Sequence, residues 1–295
     1  MDLSALPQFV AGGVTVGAVY GLIGAGFSLV FKASKVVNFA QGEFVVLGGL
    51  VTYSLMALFG AGAAAASAAI LASLAIVVGI AALLYVVLRQ ARHGSNEFTF
   101  VMVTLAVAIA LRGGAGLAWG TEFKTFPLFP RGSVNILGAV LTYGALITLA
   151  VTLLVSVALW FGLYRTRLGK ALRACADNPA VAQTVGIDPK RMVLVAYLGS
   201  GLLGALGGLL LTPALMMSYD SGVILALKGF TAAVAGGLAN PFGAVAGGLV
   251  IGVIEGLGVG AISSDLQNAY AFLALLFVLA FRPQGLFGGR QEFAR

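Results

Sequence analysis

The chain has 295 residues, of which 60% are hydrophobic and only 9% charged, with a mean hydropathy of +1.04, whereas soluble domains carry roughly 25% charged residues. That composition excludes a water-soluble globular domain and marks an integral membrane protein. The count of 1 Cys and 1 His excludes a disulfide framework and a Cys/His metal cluster within the chain, and the net charge of +7 sits in the loops, so it does not argue for nucleic acid as a partner.

The opening MDLSALPQ places no positive residue ahead of the first apolar run. It lacks the n-region of a cleavable signal peptide, so the first span is expected to remain in the mature protein. Apolar windows of about 20 residues, the length that crosses a bilayer, fall at 9–31, 43–60, 63–88, 98–119, 139–164, 192–214 and 242–262, with shorter candidates at 223–239 and 266–281. They predict an all-α, polytopic integral membrane helix bundle of nine passes, within a range of about eight to ten transmembrane helices. The Ala-rich stretch 61-AGAAAASAAILASLAIVVGIAALL-84 belongs to it as a packed span, because small residues let helices approach closely in lipid.

One set of loops carries Lys32, Lys35, Arg89, Arg92, Arg165, Arg167, Lys170, Arg173, Lys190, Arg191, Arg282, Arg290 and Arg295, and the opposite set only Lys124 and Arg131. By the positive-inside rule the first set is cytoplasmic. With nine passes the N-terminus then lies outside and the C-terminus inside.

The long cytoplasmic loop is 165–191. Its first part, Tyr164 to Cys175, sets Leu168, Ala171, Leu172 and Cys175 at helical spacing among basic residues, as an amphipathic helix at the membrane surface would. In the second part, Asn178 suits an N-cap, Pro179 the first helical turn, and Gly186 the left-handed residue that ends a helix. Asp188 and Pro189 repeat the start signal for the next span. A helix of about two turns is marginal in water by itself, so something must pack against it. From the residues alone it is either an elbow on the lipid headgroups or a docking helix for a cytoplasmic partner.

Charges inside the membrane are functional candidates by default. Arg112 lies toward the outer end of its span, where it can snorkel. Lys228 and Glu255 can pair with each other, with a partner subunit, or with the two ends of a zwitterionic solute. Segment 38-NFAQGE-43 joins two spans with Asn38, Gln41 and Glu43 beside Phe39 and Phe44, and Gly42 permits a broken backbone. It either dips into the protein as part of an inner gate or is a plain polar loop, since irregular backbone at membrane depth must be buried or line a cavity. AVAGGL occurs at 233–238 and again at 244–249 around Asn240-Pro241-Phe242-Gly243, which predicts two helices joined by a tight turn and packed through small residues. The run 162-GLYRTRLGKA-171 has the wrong spacing for a phosphate-binding loop, and Ala171 stands where its Ser or Thr belongs. No catalytic or metal-binding constellation is apparent.

Three stretches together resemble the permease subunits of branched-chain amino acid ABC importers, the LivH/LivM type. They are 169-GKALRACADNPAVAQTVGI-187, 36-VVNFAQGEF-44 and 230-FTAAVAGGLANPFGAVAGGLVIGVIEGL-257, in order along nearly the whole chain. The resemblance implies a single permease domain over 1–295 in the bacterial inner membrane, paired with a second permease subunit that is a paralogue or a copy of itself. It also implies two cytoplasmic ATPase subunits, which would hold ATP and Mg while this chain binds no cofactor, and a periplasmic or surface solute-binding protein. On that reading Asn178, Pro179, Ala180, Val181, Ala182, Gln183, Gly186 and Ile187 form the coupling helix that docks on an ATPase. Asn38, Gln41, Glu43, Lys228 and Glu255 become candidates for the pathway or its gate. Related importers take urea, short amides or aromatic acids, so the solute is open. A secondary transporter or channel needing no ATPase is the alternative class, and a membrane scaffold without transport the third.

Overall fold

The computed structural model describes residues 6–60, 62–91, 97–136 and 138–288. Arg92, Arg290 and Arg295, and residues 1–5 of the opening stretch on which the signal-peptide argument rests, lie outside the described residues. The helices in chain order are α1 (Leu6–Ser34), α2 (Gln41–Phe59), α3 (Ala63–Gln90), α4 (Glu97–Trp119), α5 (Tyr143–Arg165), α6 (Arg167–Asp177), α7 (Pro179–Thr184), α8 (Pro189–Leu215), α9 (Ser221–Gly236), α10 (Pro241–Ala261) and α11 (Gln267–Phe281). The strands β1 (Ser133–Ile136) and β2 (Ala139–Thr142) form an antiparallel hairpin between α4 and α5, with Ser133 opposite Thr142.

Each apolar window is a helix, and 7 of them are long and apolar enough to cross a membrane. The sequence reading is corrected at three places. Residues 139–142 are strand, and α5 starts only where the Thr142 hydroxyl accepts a hydrogen bond from the Ala145 amide at 3.2 Å. The surface helix starts at Arg167 and not at Tyr164: Thr166 breaks α5 and caps α6, accepting from the Gly169 amide at 3.1 Å. Finally, α9 and α11 have 16 and 15 residues, which at 1.5 Å per residue gives about 24 Å or less. That falls short of the ≈ 30 Å hydrocarbon core.

The core forms around α1, which packs on α5, α8, α9 and α10. Val19, Leu22 and Ile23 of α1 join Val45 and Leu50 of α2 and Leu210 of α8 in its largest cluster. Between α1 and α10 the contact is glycine on glycine. Gly13, Gly17 and Gly21 recur every fourth residue and face Gly248, Gly252 and Gly256, where a Cβ on any of these would meet the backbone of the other helix or its neighbour. Lipid supplies no hydrophobic drive between helices, so such backbone proximity is what holds them. The repeated AVAGGL segments behave in the same way, with Gly236 against Gly243 and Gly247 against the Ala232 carbonyl.

Two helices begin inside the bundle. Gln41, the first residue of α2, donates from Nε2 to the carbonyl of Ser200 at 3.1 Å. Ser200 lies eleven residues into α8, about 16 Å along it. Gly222, in the first turn of α9, has its carbonyl against Gly42. The far end of α9 is closed by the segment after α11: the amides of Leu286 and Phe287 donate to the carbonyls of Ala235 and Gly236 at 2.7 and 3.2 Å. These two bonds satisfy acceptors that a helix C-terminus leaves open. Asn240 Nδ2 reaches the Phe287 carbonyl at 3.3 Å.

Candidate functional site

The segment 38–43 is interior. Asn38 and Gln41 are fully buried and Glu43 is 2% exposed, while Phe39 between them is exposed. The Asn38 side chain accepts from the Ala40 amide at 3.1 Å, and the Phe39 amide donates to Thr104 Oγ1 at 3.4 Å. The Ser200 hydroxyl donates to Gln41 Oε1. Gly26 and Gly204 make room for the Gln41 amide, which a Cβ at either position would meet. The break between α1 and α2 therefore dips into the protein, as irregular backbone at depth requires, with Phe39 bonded to α4 and Gln41 to α8, while Asn38 Nδ2 is buried without a partner among the described residues.

Glu43 meets Arg112, whose Nε and Nη2 both donate to Oε1, at 3.1 and 2.8 Å. The snorkelling expected for Arg112 is thus corrected. Helical side chains lean toward the N-terminus of their helix. The N-terminal end of α4 is the basic end of the bundle, so Arg112 reaches inward to Glu43 and away from the opposite surface. The pair borders a cavity of about 290 Å³ between α4 and the first turns of α2 and α9.

Lys228 and Glu255 form a separate, buried network in which every bond to Glu255 ends on Oε1 and Oε2 has no partner among the described residues. Lys228 Nζ lies 2.8 Å from Glu255 Oε1, with both side chains at most 5% exposed. Tyr20 donates to the same oxygen at 3.3 Å and accepts from Lys228 at 3.0 Å, and Gln267 Nε2 also donates to it. Of the three roles open to these residues from sequence, their geometry takes the mutual pair, and it ties α9 and α10 to α1 and α11. Tyr20 and Gln267 were not legible beforehand, because neither position is charged or part of a motif.

On the basic side, the Asn178 side chain accepts from the amides of Ala180 and Val181, both at 3.1 Å, and so caps α7. Gly186 has φ +82°, and the Ile187 amide returns to the Ala182 carbonyl at 3.0 Å, closing the turn. Pro179, Ala180 and Gln183 are exposed, and Val181 and Val185 are 58% and 70% exposed. Ala182 is corrected: at 2% exposure it is the inward anchor of α7 and presents nothing to a partner. Ile187 is half-buried. Beneath, α6 packs Leu172 against Leu29, Leu163 and Ala196 and buries Cys175, and the Arg173 guanidinium lies 4.7 Å from the Tyr164 ring. Burial pushes the Cys175 thiol up from its ordinary range, and the Asp188 carboxylate adds to the shift.

Across the bundle, a cavity of about 550 Å³ opens between α1, α5, α8 and the hairpin, bordered by Val16, Phe129, Arg131, Thr148, Leu210 and Pro213. A multi-pass helical bundle with broken helices at depth, a cavity on each side of them and a capped helix projecting from its basic end defines a membrane permease subunit. Residues 9–281 match the family described as branched-chain amino acid transport system / permease component. The chain belongs to that family.

Relatives align along nearly the full length. The high-affinity branched-chain amino acid transport system permease protein BraD of Pseudomonas aeruginosa is 30% identical over 296 residues, covering 95% of each chain. LivH of Salmonella typhimurium, named in the same way, is 29% identical over 294 residues, again 95% of each. The probable branched-chain amino acid transport permease protein LivH of Methanocaldococcus jannaschii is 28% identical over 283 residues, or 90% of this chain and 88% of its own.

Proposed function

We propose that this chain, as a single permease domain, forms half of the pathway through which an ATP-driven ABC importer moves branched-chain amino acids into a bacterial cell. A solute-binding protein delivers the amino acid at the outer face. A second permease subunit, paralogue or copy, supplies the other half, and two cytoplasmic ATPase subunits hold ATP and Mg. The basic side, carrying Lys32, Arg89, Arg165 and Lys190, is cytoplasmic, which leaves the N-terminus outside and the C-terminus inside.

The observation that carries the reading is α7. A six-residue helix cannot hold itself in water, yet this one is capped at both ends, anchored by Ala182, and turns two valines outward. An exposed apolar pair on a fixed helix suits a groove on a partner. ATP binding draws the two ATPases together, α7 moves with the groove that grips it, and α6 and α8 pass the displacement to the bundle. The break before α2, at 38–40, is where such a displacement opens or closes the pathway, because its backbone is not locked into a helix.

The test is a cysteine placed at Val185 in a Cys175→Ser background, crosslinked in native membranes. The expected result is an adduct with an ATPase subunit whose yield changes on adding ATP, while Ala182→Cys gives none. If cysteines at Val181 and Val185 both label freely and capture no ATPase, α7 is only a surface elbow and the standalone-carrier reading replaces this one.

A further inference from the structure

The charged pairs within the membrane-spanning part differ in access. Lys228 and Glu255 have side chains 5% and 4% exposed, whereas Arg112 is 32% exposed beside a Glu43 at 3%. Both donors that Arg112 offers Glu43 end on one oxygen, Oε1. Arg112 Nη1 and Glu43 Oε2 make no hydrogen bond among the described residues. An Arg–carboxylate pair ordinarily closes as a two-oxygen fork, so this one leaves a guanidinium edge unused beside an open space.

That space is the cavity of about 290 Å³, and apart from the ion pair its walls are apolar: Phe39, Leu105, Ile109, Val223 and Leu227 border it. Gly222 also keeps it open, since a Cβ there would lie 3.0 Å from Glu43 Oε2. The pair sits where α2 begins, well inside the bundle. At such depth a charge that is a third open faces a water-filled cavity or protein, not hydrocarbon. The exposed face formed by α4 and the start of α9 therefore opens on water or on a partner subunit.

We propose that Arg112 is a transit site for the carboxylate of an aliphatic amino acid. Nη1 donates to the carboxylate, Glu43 is the positioning residue that holds the guanidinium, and the apolar walls take the side chain. Glu43 already neutralises most of the guanidinium charge, so the solute is held weakly, which suits passage over storage. The assignment rests on the permease reading above and adds to it the group that meets the solute.

The test uses the complete transporter with its binding protein in proteoliposomes, with Ile109→Cys in the Cys175→Ser background and leucine as the probe. Leucine, added with ATP, is expected to slow thiol labelling at that position, whereas leucinol, which lacks the carboxylate, is not. Arg112→Gln alone would strand Glu43 as an unpaired charge, so uptake is measured in Arg112→Gln combined with Glu43→Gln. The double variant should elute as the parent does on size exclusion and take up leucine about tenfold more slowly, the loss expected for one charge-assisted hydrogen bond. Protection by leucinol equal to that by leucine, or parental uptake in the double variant, overturns the assignment. The Val185 crosslink is scored in the same membranes; if it persists while Arg112 proves dispensable, the permease reading stands and only the transit site falls.

Discussion

Gly17 and Gly252 meet backbone to backbone, so that a Cβ built on Gly17 would lie 2.9 Å from the Gly252 Cα. Gly252→Val places three carbons where the α1 backbone already is. Overpacking that side chains can absorb costs about 1–3 kcal/mol, and here no side chain can give way, so the expected loss is at or above the upper end. Gly79→Ala is the control, because nothing lies within 4 Å of that helical position. Monodispersity in detergent after a heat step should collapse for the first variant and hold for the second.

Lys228 and Glu255 allow a double-mutant cycle. Removing one partner of a buried pair costs about 3–5 kcal/mol, because the other charge is left uncompensated. Lys228→Met and Glu255→Gln should each destabilise on that scale, and the combination should recover most of the loss. A combined loss equal to the sum of the single ones, measured by thermal unfolding in detergent, would show that the two side chains do not act as a pair.

These two contacts differ in how much of them the sequence disclosed. The pairing of Lys228 with Glu255 was one of three open roles, and the AVAGGL repeats pointed to small-residue packing. The α1 stripe of Gly13, Gly17 and Gly21 went unread, because glycine in an apolar run carries no sign of which helix it will meet. Arg112 was misread for a physical reason: its span position suggested the outer surface, but side-chain lean decides where a long residue reaches. The caps at Asn178 and Gly186 were legible because capping is local, set by a few consecutive residues. The burial of Ala182 was not, since the direction in which a two-turn helix faces depends on α6 and α8, far outside its own window.

Gly186 has open space around it, and its constraint is only the backbone at φ +82°. Gly186→Val should strain that left-handed turn by about 1–2 kcal/mol and tilt α7 while leaving membrane insertion intact. Gly186→Asn, which tolerates the conformation, should behave as the parent does. ATPase stimulation in the reconstituted complex reads the difference, and full stimulation in the valine variant would remove α7 from the coupling path.

Cys175 offers a pH measurement. The thiolate is the reactive form, and a raised thiol value means a smaller thiolate fraction at neutral pH. Maleimide labelling of Cys175 should therefore be slower than that of a cysteine placed at Val185, with the gap narrowing as pH climbs past the ordinary thiol range near 8.5. Parallel rate profiles for the two sites would contradict the burial described for α6.

The cap that Leu286 and Phe287 place on α9 fixes an order of events during synthesis. The carbonyls of Ala235 and Gly236 wait open while α10 and α11 are made, and close only when residues some fifty positions later leave the ribosome. The helix whose first turn floors the Glu43 and Arg112 cavity is thus among the last to be fastened, after every helix it leans on is already available to receive it.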